Sequence, residues 1–457
     1  MKKVQIKGKN CLGLKTTKNS HLLIKTSCWA HKTFPVITSY QSGDARYSAS
    51  SDFHNVVFFA ATMLKFSILM QIFTDILHDL KSRYHLPERQ SATLLFHFNF
   101  SHEMALADGT DNYTPTKNVI LMEEQLAKLP CVFASSDDAV VDFYQNLYYD
   151  WQGNLKEIGK SVFIPFPWGW NLAVRKKFLK IGVDQSYMPS KQELQDIRWF
   201  ASRQFHVDYI RLFLFHNLSV DLGASLVGHR MSFIKFKDAL DFNGDSMIFK
   251  QNWSSSGRGN FTAQQADEKT IKRINGFIRT QGGCLVDKCY DKILDFAMEF
   301  YIFANSEVRF VGFSVFQTSE NGKYVGNVVD SQENIRMLIE KHFENRQFID
   351  MLINTHCEIL KRTMAGRYTG FVGIDMMAVR EDGKTKCHPC VEINPRMNMG
   401  ILAIAAYLRP FFFNEEGGGG SVVGERRRSS TRTPSAVMRE RGFHTCLRDR
   451  FISIKYS

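Results

Sequence analysis

The side chains of this 457-residue chain best suited to chemistry fall in two short stretches. The first is Lys250 followed by QNWSSSGRGNF (251–261). Ser254, Ser255, Ser256, Gly257 and Gly259, with Arg258 among them, form a loop. Its small residues let consecutive backbone N–H groups approach one anion, and a lysine ammonium beside such a nest would hold a polyphosphate. An ordinary surface hairpin turn would have the same composition. The second stretch pairs Gly373-Ile-Asp375 with Val391-Glu-Ile-Asn-Pro-Arg396. Glu392 and Asn394 are two apart, so on a strand they share one face, and Asp375 on a partner strand can face the same way. Two carboxylates and an amide carbonyl are hard oxygen donors, suited to a Mg²⁺ or Mn²⁺ that bridges nucleotide phosphates. Arg396 adds a fixed cation able to steady a transferring phosphoryl group or a carboxylate substrate.

Familiar phosphate motifs do not fit. Gly383-Lys384-Thr385 ends like a Walker A loop, but the glycine required five positions earlier is Ala378. Gly257-x-Gly259 is not a dinucleotide fingerprint, because position 262 is Thr. A protein kinase has its glycine-rich loop before its lysine; here the order is reversed.

Taken in order, MIFKQNWSSSGRG (247–259), CLVDKCYDKILDFAMEF (284–300), GFVGIDMMAV (370–379) and CVEINPRMNMG (390–400) resemble the ATP-grasp superfamily. The resemblance spans 231–405. It implies ATP clamped between two α+β subdomains with Mg²⁺ or Mn²⁺. Lys250 matches the phosphate-binding lysine, with a catalytic share, and Ser254–Gly259 the loop closing over the phosphates. Asp287, Lys288 and Cys289 match the hinge whose backbone meets adenine. Asp295, with Glu299 second, matches the ribose contact. Asp375, Glu392 and Asn394 match the metal ligands, and Arg396 the catalytic arginine. The implied activity is ligation: a substrate carboxylate becomes an acyl phosphate and is captured by an amine or other nucleophile. An ATP-binding protein of the same fold without turnover is the alternative.

The elements needed to position these groups can be read from pattern. The expected class is α/β, with an amino-terminal parallel-sheet domain over 91–230 and the α+β ATP-grasp unit over 231–410. In the first, ATLLFHF (92–98) predicts a strand, 117–129 a helix closed by Pro130, and CVFA (131–134) the next strand, a βαβ unit. After PWGW (167–170), Asn171 caps a helix to 181, and Ser190 with Glu193 forms a capping box for another over 191–204. In the second, strands are expected at 246–250, 284–288, 295–303, 308–317 and 323–329, and helices at 266–280 and 333–364. A hairpin of 373–380 with 386–393 turns at Glu381-Asp382-Gly383. His102-Glu103 follows a strand end, where α/β proteins often bind ligands; core or surface polarity is the plainer reading.

Composition sets the remaining bounds. With 44% apolar and 23% charged residues, the chain can build a large core, which excludes wholesale disorder. The net charge of +12 sits at the ends: residues 1–48 carry +8 and 424–457 carry +6, leaving the body at −2. A nucleic-acid groove would need that charge on the folded body. Residues 1–90 are expected to be a basic extension plus an apolar helix, and 411–457 a flexible basic tail. The apolar run 56–77 contains Lys65, Gln71 and Asp75, so it suits a buried helix better than a membrane span. Nine scattered cysteines, Cys387-His-Pro-Cys390 among them, make neither a disulfide framework nor a complete zinc set. Two sequons, at Asn252 and Asn260, flank the phosphate loop, where a glycan would block it, so a cytoplasmic location is expected.

Overall fold

The computed structural model describes residues 13–16, 22–25, 67, 69–84, 86, 91–159, 161–216, 225–235, 242, 244–254, 257, 259–319, 322–345, 347–412, 443–448 and 451–456. The chain divides into two compact units, 1–69 with 411–426 and 70–410 with 427–457. In the first, β1 (Gly13–Thr16) and β2 (Leu22–Lys25) form an antiparallel hairpin within the segment expected to be an extension. The candidate site belongs wholly to the second unit.

That unit opens with α1 (70–82), the carboxyl end of the apolar run. Phe73, Ile76 and Leu80 recur at helical spacing and are buried, while Asp79 accepts hydrogen bonds from Tyr301 Oη (2.9 Å) and Ala304 N (3.1 Å). Among the described residues no helix is long and apolar enough to cross a membrane.

Next comes a four-stranded sheet. β3 (Ala92–His97) leads through α2 (His102–Asp108) and α3 (Lys117–Gln125) to β4 (Ala139–Asp142), β5 (Leu147–Tyr149) and β6 (Val162–Pro167). The order is β5-β4-β3-β6, with β3 parallel to both β4 and β6. The βαβ expectation holds, but its second strand lies further along the chain than CVFA. Leu129–Val132 is a 3-10 turn with Pro130 in its first positions, and the strand is AVVD at Ala139–Asp142. Pro130 lacks an N–H for a ladder and has the φ that starts such a turn.

Asn171 caps α4 (Leu172–Lys180) by accepting from Val174 N at 2.9 Å. Ser190 and Glu193 form the expected capping box of α5 (Lys191–Phe200). The helix expected over 191–204 ends early. Ser202 Oγ donates to Trp199 O (2.6 Å) and accepts from Phe205 N (3.2 Å), which starts α6 (Arg203–His216) on a new axis. Phe205, Tyr209 and Phe213 of α6 share a core with Phe296, Met298 and Phe300. The boundary expected at 230 therefore does not separate α6 from the next domain.

A small antiparallel sheet, order β7-β10-β8-β9, comprises β7 (Ser232–Ile234), β8 (Met247–Gln251), β9 (Phe261–Ala263) and, after α7 (Glu268–Gln281), β10 (Cys284–Lys288). Phe249, Phe261, Ile274 and Phe277 fill the space between it and α7.

The large sheet is antiparallel throughout. It contains β11 (Asp291–Ile302), β12 (Val308–Thr318), β13 (Tyr324–Val328), then after α8 (Gln332–Glu340) and α9 (Gln347–Thr363), β14 (Gly370–Glu381) and β15 (Lys384–Asn394). The helix expected over 333–364 is thus two. Asn345 Oδ1 accepts from Gln347 N at 2.9 Å and starts the second. α10 (Met399–Phe412) follows β15, with Ile401, Leu402 and Leu408 buried. β16 (Phe443–Arg448) and β17 (Phe451–Tyr456) add to the sheet edge, β17 pairing with β13. This corrects the expected tail: alternating FISIKY completes a ladder. Residues 413–442, with the glycine-rich run, lie outside the described residues.

Strand alternation splits the large sheet by face. Phe296, Met298, Ile374, Met376 and Ile393 point into the core shared with Leu352, Ile359 and Leu360 of α9. Asp295, Ala297, Glu299, Asp375, Glu392 and Asn394 carry the other parity.

Candidate functional site

Register brings the second motif together. Ala297, Asp375 and Glu392 lie side by side across β11, β14 and β15, and Glu299, Gly373 and Asn394 form the next row. The hairpin turns at Asp382 (φ 53°) and Gly383 (φ 73°), the left-handed pair such a tight turn requires. Three carboxylates on one face repel each other. Burial first, then the charges of Glu392 and Glu299, push the Asp375 carboxyl well above its ordinary range. Asn394 Nδ2 donates to Asp375 Oδ2 at 3.2 Å. Among the described residues no three His, Cys, Asp or Glu side chains gather as a metal-ligand set. The donors here are two carboxylates and an amide. A divalent cation would relieve the repulsion that raises Asp375, so the donor chemistry fits Mg²⁺ or Mn²⁺.

Lys250, at the end of β8, is 9% exposed. Burial and then Arg203 lower its pKa, while Glu392, Asp287 and Asp375 oppose the change. It therefore lies within the field of the carboxylates. Arg203 is the residue that sequence reasoning missed. It is 3% exposed; its N–H donates to Asn252 O (3.0 Å) and its Nη2 reaches Glu392 Oε2 (2.8 Å). No motif flags it. The only signal is Ser202, the cap that sets its place. Two buried cations thus stand beside the carboxylates, and the buried Ser254 Oγ has no hydrogen-bond partner. An unpaired buried hydroxyl on the residue that Arg203 reaches suits an anionic ligand.

Of the phosphate loop, Ser254, Gly257 and Gly259 are described; Ser255, Ser256 and Arg258 lie outside the described residues. Gly257 has φ 70°, and a Cβ there would stand 2.6 Å from Gly322 O, so the β8–β9 loop meets the β12–β13 turn where only glycine fits.

The hinge residues carry other partners. Asp287 Oδ2 hydrogen-bonds His388 Nε2 at 2.9 Å and Oδ1 accepts from Lys288 N at 2.8 Å. Lys288 pairs with Glu381 at 3.1 Å, and Cys289 N donates to Ser246 O at 2.8 Å. Asp295 Oδ2 accepts from Lys292 Nζ (2.6 Å) and Thr318 Oγ1 (2.8 Å). Glu299, the second ribose candidate, lies in the same row as Asn394. It is 1% exposed, and its oxygens accept from Ser314 Oγ (3.0 Å) and Asn398 Nδ2 (2.7 Å). Burial first raises its pKa to about 7.

Arg396 joins the carboxylate face to the amino-terminal sheet. Its Nη2 donates to Asn394 Oδ1 (3.0 Å), its Nη1 to Met397 O (2.9 Å) and its Nε to the Glu103 carboxylate. Cys387 and Cys390 are buried, and burial raises both thiols.

No protein-family model matches the chain, and no curated protein matches it by sequence. Comparison of three-dimensional structures does find similar proteins. N5-carboxyaminoimidazole synthetase from Staphylococcus aureus, complexed with ADP, is 12% identical; the match covers 70% of this chain and 79% of that one with a TM-score of 0.37. D-alanine–D-alanine ligase from Helicobacter pylori is 11% identical, over 69% of this chain and 93% of that one, with a TM-score of 0.35. The biotin carboxylase domain of Hydrogenobacter thermophilus 2-oxoglutarate carboxylase, with MgADP, is 11% identical over 53% of each chain, with a TM-score of 0.34.

Proposed function

We propose that this protein is an ATP- and Mg²⁺-dependent ligase that activates a substrate carboxylate for attack by an amine or another nucleophile. The observation that carries the reading is the convergence of Lys250 and Arg203 on the row of Asp375 and Glu392, with Asn394 in the next row. Cations for a polyphosphate and oxygen donors for its metal meet on one sheet face.

In this reading Lys250, Arg203 and the Ser254–Gly259 backbone hold the phosphates. Asp375, Glu392 and Asn394 would hold a Mg²⁺ or Mn²⁺, which supplies charge neutralisation at the phosphoryl oxygens. The substrate carboxylate oxygen attacks the γ-phosphorus and the bond to the ADP oxygen breaks, giving an acyl phosphate and ADP. The nucleophile then attacks the acyl carbon and phosphate leaves. Such transfer needs positioning and electrostatic stabilisation more than a protein nucleophile. Arg396 is placed to steady the transferring group.

ADP release from MgATP, followed across amino acids, peptides and small carboxylates, tests the reading. One carboxylate class that stimulates release supports it. Nucleotide binding with no stimulation by any of them would leave an ATP-binding protein without turnover.

A further inference from the structure

The amino-terminal sheet reaches into the site at one point. β4 and β6 flank β3 on opposite sides, so the crevice of that sheet opens beyond the carboxyl end of β3. Glu103 sits in the first turn of α2, just past that end, and is 7% exposed. The chain just before it is held by side-chain hydrogen bonds. Ser101 N and Oγ donate to Glu123 Oε1 at 2.8 and 2.7 Å. Asn99 and Gly169 exchange two hydrogen bonds, Nδ2 to O at 2.8 Å and N to Oδ1 at 3.2 Å. The His102 ring fills the place where a Cβ on Gly169 would stand, 2.5 Å away. The partner is pinned by the same two loops, because Met397 N donates to Trp168 O at 3.0 Å.

We propose that Glu103 is a positioning residue: by accepting from Nε, it aims the Arg396 guanidinium so that Nη2 stays on Asn394 beside the carboxylate face. Free arginine side chains sample many rotamers, and a pinned carboxylate on Nε holds this one with Nη2 on Asn394 and Nη1 on Met397 O. Burial would raise the Glu103 carboxyl, but Arg396 and His102 hold it below its usual range, so it stays charged. The inference rests on the ligase reading for its consequence and on the Glu103–Arg396 pair for its geometry.

The two are tested apart in the full chain. With ¹⁵N-labelled arginine, Arg396→Lys identifies the Arg396 Nε–H resonance. In the wild type that proton exchanges slowly with solvent. Glu103→Gln speeds the exchange by roughly tenfold or more, and Glu103→Asp restores most of the protection. With a stimulating carboxylate, kcat falls roughly tenfold to a hundredfold in Glu103→Gln, while KM for ATP and the melting shift given by MgADP hold. A purely structural staple would move the melting temperature and leave kcat in place. Rapid exchange in the wild type, or unchanged exchange in Glu103→Gln, overturns the proposal; the first needs no variant to fold. Failure of the wild type to bind MgADP would instead overturn the ligase reading, with the Nε–H comparison still standing.

Discussion

Arg203 Nη2 lies 2.8 Å from Glu392 Oε2, joining the first residue of α6 to the end of β15 just before Pro395. The pair commits a buried cation to one of the carboxylates expected to hold a metal. Removing the cation leaves Glu392 without that partner. Arg203→Met is expected to lower stability by about 1–3 kcal/mol in denaturant unfolding and to weaken MgADP binding. Arg203→Lys should recover part of the binding, since it keeps the charge but not the fork. Equal nucleotide affinity in Arg203→Met would remove Arg203 from the site.

Glu392→Gln separates binding from chemistry. Lys250, Arg203 and the loop amides remain to hold the nucleotide, while one carboxylate that would hold the neutralising metal is lost. Turnover is expected to fall by roughly a hundredfold or more, with a modest loss of affinity, and excess Mn²⁺ to restore part of it. A variant matching the wild type in turnover and metal dependence would leave Glu392 as no more than the partner of Arg203.

Gly400 opens space for Glu299. A Cβ there would overlap the Glu299 carboxylate and stand 2.5 Å from Ser314 Oγ. Gly400 has no left-handed φ to explain it, so close approach is its reason. Gly400→Ala is expected to cost about 1–3 kcal/mol by overpacking, and Gly276→Ala, with open space around it, is expected to stabilise its helix slightly. Thermal melting of both variants checks the contrast.

Buried groups give opposing pH trends. Glu299 is raised to about 7 from 4.5, so its contribution is present below pH 4.5 and is lost as pH rises towards 7. Burial lowers His97 to about 3, His102 to about 4 and His356 to about 3. The unfolded chain takes up their protons below pH 6.5, so stability falls as pH drops from there towards 4. Three histidines outweigh one carboxyl, and stability is expected to rise from pH 4.5 to 6.5. Glu299→Gln removes the opposing trend, so its curve should be steeper and its advantage over wild type larger at pH 8 than at pH 5. Superimposable curves would mean that Glu299 titrates normally.

The carboxylate face was legible because it depends on local rules. Strand alternation and the Asp382-Gly383 turn place Asp375 beside Glu392, and the caps at Asn171 and Ser190 read directly. Arg203 was not legible, because its partners Asn252 and Glu392 are distant in sequence and meet it only through the fold. Glu299 shares a parity with Asp375, yet its enclosure depends on Ser314, Asn398 and Gly400 from other elements. The strand at β4 lost to CVFA in apolar content, and Pro130 decided the matter. The β16–β17 hairpin was hidden behind the glycine-rich stretch, whose composition carries no information about the strands beyond it.

Calorimetric titration of MgADP into the full chain tests the central claim most directly. The account expects binding by the wild type that requires Mg²⁺, survives Glu392→Gln in weakened form and is lost in Lys250→Ala. A folded wild type that takes up no MgADP, or a Lys250→Ala variant that binds it as well as the wild type, would contradict it.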